Sequence, residues 1–250
     1  MALPTELLPD PLPAQPLLVA SDWVAYATQR RDQPNPNAMV LATADAEGRP
    51  SARVVLCKQI VPVPGYVVFY TNYQSRKGAE LLGSQRAAIV MHWDHLHRQV
   101  RVEGIAVQSP ATESDAYFES RPWQSRLGAW ASAQSQPVKS RAELRQALEE
   151  TARRFGTPSP TSGTPAGAPQ VGTPEVNSLI NAGIKATDTP DYPVPRPPHW
   201  GGFRLWADAV ELWVEGEARI HDRARWTRSL TSKGDGLFDV GPWAATRLQP

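Results

Sequence analysis

The chain has a single cysteine, Cys57, among its 250 residues. One thiol cannot form an intramolecular disulfide framework or a multi-thiolate metal site, so the sequence excludes both and favours a reducing, cytoplasmic compartment. No run approaches the roughly 18 apolar residues of a membrane span, and the N-terminus lacks the basic and continuous apolar segments of a secretory signal. The sequence therefore predicts an intracellular protein with no membrane partner.

The chain also lacks an excess of charge of either sign. Its 26 basic and 25 acidic residues give a formal net charge of +1. A balance this close to neutrality creates no global field for nucleic acid, which is therefore not predicted as a partner. His92, His95 and His97 lie close together, but no cysteine is near them and no His-x-x-x-His pair lies on a helix, so no metal site is predicted.

Proline and short β-type runs divide the chain into four predicted segments. Residues 1–36 read as an extended, proline-containing arm of about 20 residues followed by a short helix. Residues 37–156 are predicted as a core of short strands with helices, and residues 198–250 as strands that complete it. Residues 157–197 form a Pro/Gly-rich insertion that is expected to be flexible. The predicted fold is mainly β with peripheral helices (α+β), and its antiparallel strands close into a small barrel.

Local signals also predict the ends of two elements. Ser140-Arg141-Ala142-Glu143 is a capping box that predicts the start of a helix, and Gly156 predicts its end. The last residues read as a strand, so the C-terminus is expected to be tied into the barrel.

Two basic clusters follow predicted strands. Arg53 and Lys58 bracket the apolar run of RVVLCK, an arrangement that, taken alone, is better explained by solvated strand ends than by a binding site. In YTNYQSRK, Arg76 and Lys77 fall in the first turn of a predicted helix, where backbone N–H groups attract anions and repel cations. This placement indicates a phosphate site, with an unfavourably charged surface helix as the alternative.

A third cluster, YFESRPWQS, combines two hydroxyl groups with an arginine. Tyr117 and Arg121 are four residues apart and share one helix face, and Ser125 lies just beyond the break at Pro122. Two guanidinium donors and two hydroxyls suit a phosphate ion. The alternative is an ordinary ion pair at a helix end.

The fourth cluster lies in ELWVEGEARIHDR. Arg219, His221 and Arg223 are expected to alternate along one strand after a tight turn at Gly216-Glu217, and so to project from one face. Such a row is costly inside a barrel unless an anion or a cofactor compensates it, whereas an exposed edge strand would tolerate it. Trp213 on the preceding strand supplies an aromatic wall beside it.

In this order the clusters resemble the pyridoxamine 5'-phosphate oxidase family. The resemblance covers residues 37–134 and 198–250, and it rests on RVVLCK, FYTNYQSRKG, RQVRVEG, SRPWQSRLGAWAS, HWGGFR, ELW and RIHDR. It implies an antiparallel FMN-binding split β-barrel and a homodimer with FMN at the subunit interface.

The resemblance also implies a role for each matching residue. Arg219 and His221 would bind the substrate beside its reacting carbon and act as the catalytic residues. The substrate phosphate would be held by Lys58, Tyr117, Arg121 and Ser125. FMN would be held by Arg53, Val54, Val55, Leu56, Tyr70, Thr71, Arg76, Lys77, Gln99, Gln134, Ser135, Trp213 and Arg223.

The implied activity belongs to vitamin B6 metabolism. Pyridoxamine 5'-phosphate or pyridoxine 5'-phosphate would be oxidised by O2 to pyridoxal 5'-phosphate, with release of hydrogen peroxide and, from the amine, ammonia. A related FMN oxidase of another aromatic compound, such as a phenazine precursor, would have no need of a second phosphate clamp. A non-catalytic protein that binds FMN or pyridoxal phosphate would have no need of both Arg219 and His221.

Overall fold

The computed structural model describes residues 6–160 and 192–250, and the chain divides into two compact units. The sheet unit comprises Met1–Phe69, Glu80–Gln108 and Phe203–Pro250, and the helical unit comprises Tyr70–Ala79 and Ser109–Gly202. Residues 161–191, which make up most of the predicted insertion, lie outside the described residues.

Every strand pairing in the described residues for which a register is resolved is antiparallel, which confirms the predicted strand orientation. The strands are β1 (Ala38–Ala44), β2 (Pro50–Leu56), β3 (Gln59–Val61), β4 (Tyr66–Asn72), β5 (Arg86–Trp93), β6 (Arg98–Gln108), β7 (Trp200–Val214), β8 (Asp222–Thr227), β9 (Leu230–Gly234), β10 (Leu237–Val240) and β11 (Ala244–Leu248). The main path of the sheet runs β11-β8-β7-β6-β5-β1-β2, and β4 pairs with β3 and β7. The hairpin of β9 and β10 was not predicted.

Alternating burial explains why these segments form strands. Met39 and Leu41 of β1 are buried, whereas Val40 between them is 41% exposed. Successive side chains of a strand point to opposite faces, so this period of two gives the sheet one face toward the core. The C-terminal strand is fixed by full pairing of β11 with β8, as the sequence predicts.

The helices are α1 (Pro16–Arg30), α2 (Arg76–Ser84), α3 (Ala111–Ser120), α4 (Trp123–Ala131) and α5 (Arg141–Arg154). The predicted helix start at Ser140 is confirmed, since Ser140 Oγ accepts a hydrogen bond from the Glu143 N–H at 3.2 Å, while Glu143 Oε2 accepts one from the Lys139 N–H at 3.1 Å. Gly156 ends this helix with a φ of 63°, a conformation that glycine adopts without strain. None of the helices in the described parts of the chain is long and apolar enough to span a membrane.

The N-terminal arm is shorter than predicted. Helix α1 begins at Pro16 because proline fits the first helical position, where its missing N–H has no intrahelical partner in any case. Before the helix, the Leu8 N–H donates to Asp222 Oδ2 at 2.8 Å, and Trp226 Nε1 donates to the Pro13 carbonyl at 2.8 Å. These contacts fix the arm against β8.

Candidate active site

Three predicted cofactor residues form one row across the sheet. Gln99 of β6 lies directly opposite Trp213 of β7, and Trp213 lies opposite Arg223 of β8. Directly paired residues on neighbouring antiparallel strands point to the same face of the sheet. The register therefore places an amide, an indole and a guanidinium side by side, which suits the polar edge of a heteroaromatic ring.

A buried carboxylate orients Arg223. Glu211, whose side chain is 3% exposed, accepts hydrogen bonds from Arg223 at 2.9 and 3.2 Å and from Arg101 at 3.2 Å. Glu103 accepts from Arg101 and from both terminal nitrogens of Arg225, and the hydrogen bonds from Arg225 lower the pKa of Glu103 below its ordinary value. These five residues form an arginine–glutamate network. The sequence analysis missed Glu211, although an acidic residue inside an apolar strand is a visible signal.

The turn after β7 corrects the prediction for Arg219 and His221. Strand β8 begins only at Asp222, and Glu217–Arg219 form a single 3-10 turn, so these two residues do not alternate with Arg223 along one strand. The tight turn predicted at Gly216-Glu217 is wrong for the same reason. Ala218 and Arg219 have φ values of 52° and 65°, in the left-handed region that costs about 1–2 kcal/mol per non-glycine residue. The longer turn leaves Arg219 exposed.

His221 is oriented by the same turn. The Gly216 N–H donates to His221 Nδ1 at 3.2 Å, and the imidazole lies 4.8 Å from the Trp213 ring, centroid to centroid. Because Nδ1 accepts this hydrogen bond, a neutral imidazole carries its proton on Nε2. His221 therefore presents a hydrogen-bond donor at Nε2.

Arg53 is held by polar groups around it. Its Nη2 donates to the buried carboxylate of Glu80 at 3.2 Å, and its guanidinium also donates to Thr43 Oγ1 and Ser51 Oγ. Val54, Val55 and Leu56 complete β2, and Lys58 follows the end of that strand as predicted.

In the helical unit, the start of α2 lies beside a polar loop. Lys77 Nζ donates to Gln134 Oε1 at 2.7 Å, and Thr71 Oγ1 donates to the same oxygen at 3.5 Å. Arg76 opens the helix, and no acidic residue lies in its first turn. Two cations and a hydroxyl at the N-terminus of a helix form a donor set that suits a phosphate ester. Ser135 follows Gln134 in the loop, with a φ of 73°.

Three of the four predicted clamp residues are also in the helical unit, and the fourth, Lys58, is in the sheet unit. Tyr117 lies on α3, but Arg121 follows the end of that helix in an extended conformation, so the prediction that the two share one helix face is wrong. Ser125 lies in the first turn of α4, a helix that the sequence analysis did not predict. Pro122 is the N-cap of α4, so a second helix starts at the expected break. The first turn of α4 contains no acidic residue, which leaves its N-terminus suited to an anion. Arg121 therefore lies between two hydroxyl residues and beside a helix N-terminus.

The clamp has an unusual electrostatic state. Arg121 Nη1 is buried, and none of the described residues accepts a hydrogen bond from it. Burial lowers the pKa of Arg121 to about 10, an effect opposed by Tyr117 and assisted by the nearby charge of Arg126. Burial likewise raises the pKa of Tyr117 to about 12, with Arg121 acting against the rise. A buried guanidinium without an acceptor is the state that a bound anion would correct.

Each unit brings together part of the predicted set. The sheet unit holds Arg53, Val54, Val55, Leu56, Lys58, Gln99, Trp213, Arg219, His221 and Arg223. The helical unit holds Tyr70, Thr71, Arg76, Lys77, Tyr117, Arg121, Ser125, Gln134 and Ser135. No group of three or more His, Cys, Asp or Glu side chains with the arrangement of a metal site occurs in residues 6–160 or 192–250.

Two family descriptions match the chain. "Pyridoxamine 5'-phosphate oxidase" matches residues 28–155, and "Pyridoxine 5'-phosphate oxidase C-terminal dimerisation region" matches residues 200–250. Among curated relatives, the pyridoxine/pyridoxamine 5'-phosphate oxidase of Bordetella petrii is 42% identical over 98% of this chain and 93% of its own length. The relative of the same name from Paracoccus denitrificans is 40% identical over 94% of each chain.

Solved structures show the same fold. PhzG from Burkholderia lata, in complex with tetrahydrophenazine-1-carboxylic acid, is similar with a TM-score of 0.73 and 27% identity over all of both chains. A pyridoxamine 5'-phosphate oxidase-related, FMN-binding protein from Nostoc punctiforme is similar with a TM-score of 0.60 and 16% identity, over 94% of this chain and 98% of its own. The predicted antiparallel split-barrel class is thereby confirmed.

Proposed function

Because the chain belongs to the pyridoxamine 5'-phosphate oxidase family, we propose that it oxidises pyridoxamine 5'-phosphate or pyridoxine 5'-phosphate to pyridoxal 5'-phosphate. O2 accepts the two electrons and becomes hydrogen peroxide. The alcohol gives the aldehyde directly, whereas the amine also consumes one water and releases ammonia. The enzyme is thus an FMN-dependent oxidoreductase of vitamin B6 metabolism.

The observation that carries this proposal is the buried, unpartnered Nη1 of Arg121. Its neighbours Tyr117 and Ser125 add two hydroxyl groups, and the N-terminus of α4 adds backbone donors. We assign these groups, together with Lys58, to the substrate phosphate. A substrate without a phosphate would leave a buried cation uncompensated, which disfavours its binding.

The residues also fit FMN. The donors at the start of α2, with Thr71, Lys77 and Gln134, are suited to the phosphate tail, and the row of Gln99, Trp213 and Arg223 to the polar edge of the ring. The remaining cofactor residues of the proposal are Arg53, Val54, Val55, Leu56, Tyr70, Arg76 and Ser135. Bound FMN would supply a two-electron acceptor that returns its electrons to O2.

The chain's own groups then orient the substrate. His221 donates from Nε2, the nitrogen left to carry the proton by the Gly216 contact, to an oxygen of the substrate. The guanidinium of Arg219 offers several hydrogen-bond donors to the substrate's anionic or polar groups near the reacting carbon. Both residues act by holding the substrate in a reactive geometry.

The proposal includes a homodimer in the cytoplasm. The match of residues 200–250 to a dimerisation region supports the dimer, and the single buried cysteine suits a reducing compartment. The proposed division of the chain is an N-terminal arm with a short helix (1–36), an FMN-binding core (37–156), an insertion with no assigned chemistry (157–197) and C-terminal strands that complete the barrel (198–250).

Oxygen consumption tests the proposal. The purified protein, loaded with FMN and shown to be so by its visible spectrum, should consume O2 with pyridoxine 5'-phosphate and form pyridoxal 5'-phosphate in equal amount. Pyridoxine is the matched control and should react far more slowly. A fully FMN-loaded protein that consumes no O2 would contradict the oxidase and favour a non-catalytic binding protein.

A second candidate follows from the similarity to PhzG, whose structure holds a tricyclic carboxylate. An oxidase of that kind would act on an unphosphorylated aromatic acid. The same assay with tetrahydrophenazine-1-carboxylic acid separates the two, because the proposal expects the phosphorylated pyridine to be the better substrate.

A further inference from the structure

Trp200 lies at the centre of an aromatic cluster in the helical unit. Its ring is nearly parallel to those of Tyr70 and Tyr117, at centroid distances of 5.5 and 6.2 Å, and Phe118 meets it edge-on at 5.0 Å. Trp200 is 7% exposed. In the sequence, Trp200 belongs to the HWGGFR segment and has no predicted role of its own.

The Arg121 guanidinium lies over this cluster. Its central carbon is 4.5 Å from the Trp200 ring centroid and 5.3 Å from that of Phe118. The electron-rich face of an aromatic ring attracts a cation, most strongly for tryptophan and most strongly when water is excluded. Among the described residues no carboxylate pairs with Arg121, and the titratable groups that shift its pKa are Tyr117 and the second cation Arg126.

An aromatic ring and a carboxylate differ in which N–H groups of a bound guanidinium they leave without an acceptor. A carboxylate would accept hydrogen bonds from the edge of the guanidinium, as Glu211 does from Arg223. A ring contacts only the flat face of the guanidinium and accepts none of its N–H bonds in the plane. The edge of Arg121, including Nη1, therefore stays ready for an anion from outside the chain.

The main chain of Trp200 is held by Arg196, which also forms an ion pair with Asp115. Arg196 Nη1 donates to the Trp200 carbonyl at 2.7 Å, while Arg196 Nε donates to Asp115 at 2.6 Å. The Trp200 N–H donates to the Pro197 carbonyl at 3.1 Å. Both backbone polar groups of Trp200 are thus bonded, so the indole is held in place from its own main chain.

Two glycines fix the main chain after Trp200. A Cβ at Gly201 would lie 2.0 Å from Tyr73 Oη, and a Cβ at Gly202 would lie 2.6 Å from Ser109 Oγ. Only glycine lets the main chain pass this close to these side chains. The Gly202 N–H in turn donates to Ser114 Oγ at 3.1 Å.

We propose that Trp200 is a positioning residue that sets the preference for phosphorylated substrates, by holding the Arg121 guanidinium flat against its indole so that the guanidinium edge binds the phosphate. This inference rests on the proposed function for the identity of the substrate. It assigns to Trp200 no contact with the substrate. Trp200 would orient the Arg121 guanidinium while leaving its N–H groups available to the phosphate.

The test compares Trp200→Leu and Trp200→Phe with the wild type. Leucine keeps an apolar side chain but removes the aromatic face, whereas phenylalanine keeps a weaker one. Trp130→Leu is the matched control, because Trp130 carries Arg154 at 4.6 Å in the same unit. The measurements are Kd for pyridoxal 5'-phosphate and for pyridoxal by calorimetry, KM and kcat with pyridoxine 5'-phosphate, and FMN content and melting temperature.

For Trp200→Leu we expect the Kd of pyridoxal 5'-phosphate and the KM of pyridoxine 5'-phosphate to rise about tenfold or more, which is the effect of a desolvated cation–π contact. The Kd of pyridoxal, kcat and the FMN content should change by less than about twofold on the same reasoning. Trp200→Phe should give an intermediate rise, and Trp130→Leu none.

Unchanged discrimination between pyridoxal 5'-phosphate and pyridoxal in a folded Trp200→Leu protein would overturn the inference. If Trp200→Leu does not fold, the test uses Trp200→Phe. Discrimination between pyridoxal 5'-phosphate and pyridoxal equal to that of the wild type would then overturn the inference. A loss of affinity for both ligands alike would show a merely structural role and would also overturn it. A wild-type protein that binds pyridoxal 5'-phosphate but does not turn over would refute the proposed function alone.

Discussion

In the sheet unit, Arg101, Arg223 and Arg225 each donate to a carboxylate, whereas in the helical unit Arg121 lies on aromatic rings and has no acidic partner among the described residues. These arginines of the sheet unit have carboxylate partners within the chain, and these ion pairs hold their side chains in fixed positions. The arrangement of Arg121 leaves a charge to be satisfied by something else. The difference separates arginines whose charge is paired within the chain, including the proposed cofactor residue Arg223, from one whose charge a ligand would pair.

The largest effect should come from removing the acid at the centre of the arginine–glutamate network. Glu211→Ala leaves Arg101 and Arg223 without their shared acceptor, and we expect the free energy of unfolding to fall by about 2 kcal/mol. Glu211→Gln, which keeps an acceptor oxygen, should lose less. Denaturant unfolding at a fixed protein concentration measures both, and equal stability of Glu211→Ala and wild type would break the comparison.

Removing an arginine from the same network should have a smaller effect. Arg223→Met leaves Glu211 with Arg101 as its remaining partner, so we expect a loss of about 1 kcal/mol of unfolding free energy. Arg219→Met is the control, because Arg219 is exposed and its replacement should change stability by less than about 0.5 kcal/mol. Denaturant unfolding of both variants tests this prediction. A larger loss of unfolding free energy for Arg219→Met than for Arg223→Met would contradict it.

Acid should weaken the sheet unit through Glu103. The hydrogen bonds from Arg225 lower the pKa of Glu103 in the folded protein below the ordinary 4.5, so folding favours the ionised form. This stabilisation is fully present above pH 4.5 and is lost as the pH falls through the lowered folded pKa. Wild type should therefore lose more unfolding free energy than Glu103→Gln between pH 6 and pH 3, and parallel losses would remove Glu103 from the account.

The smallest predicted change concerns the strained turn. Ala218→Gly relieves a left-handed alanine but adds freedom to the unfolded chain, so we expect a net gain of only about 0.5 kcal/mol. Turnover with pyridoxine 5'-phosphate should fall at the same time, since Arg219 follows directly in the turn and becomes less fixed. Thermal unfolding and steady-state kinetics measure the two effects, and a destabilised variant would show that the turn carries no strain.

The sequence predicted the strand pattern because alternation and turn residues are local signals. Ser140, Gly156 and the run of β11 behaved as such signals predict. The phosphate clamp was also visible locally, since Tyr117 and Arg121 are neighbours on the chain. Its position at a second helix start was not predicted, because the prediction used Pro122 only as the signal that ends the preceding helix, although proline is also common at a helix start.

What the sequence could not supply depends on residues far apart in the chain. Trp200 meets Arg121 across 79 positions (200 − 121), and Glu211 meets Arg101 across 110, so no spacing rule reveals either pair. The error at Arg219 has another cause. Alternation was extended through Gly216, whereas close backbone approach there requires a longer turn that takes Arg219 off the strand.

The most direct test of the contrast is the stability of Arg121→Met with and without pyridoxal 5'-phosphate. Without ligand, the variant should be more stable than wild type by about 1 kcal/mol, because the cost of burying Nη1 without an acceptor is removed and exceeds the lost contact with the Trp200 ring. At a ligand concentration near 100 times Kd, wild type should gain about 2.7 kcal/mol and overtake the variant, which should gain little. A variant that is less stable without ligand and gains as much as wild type with it would contradict the account.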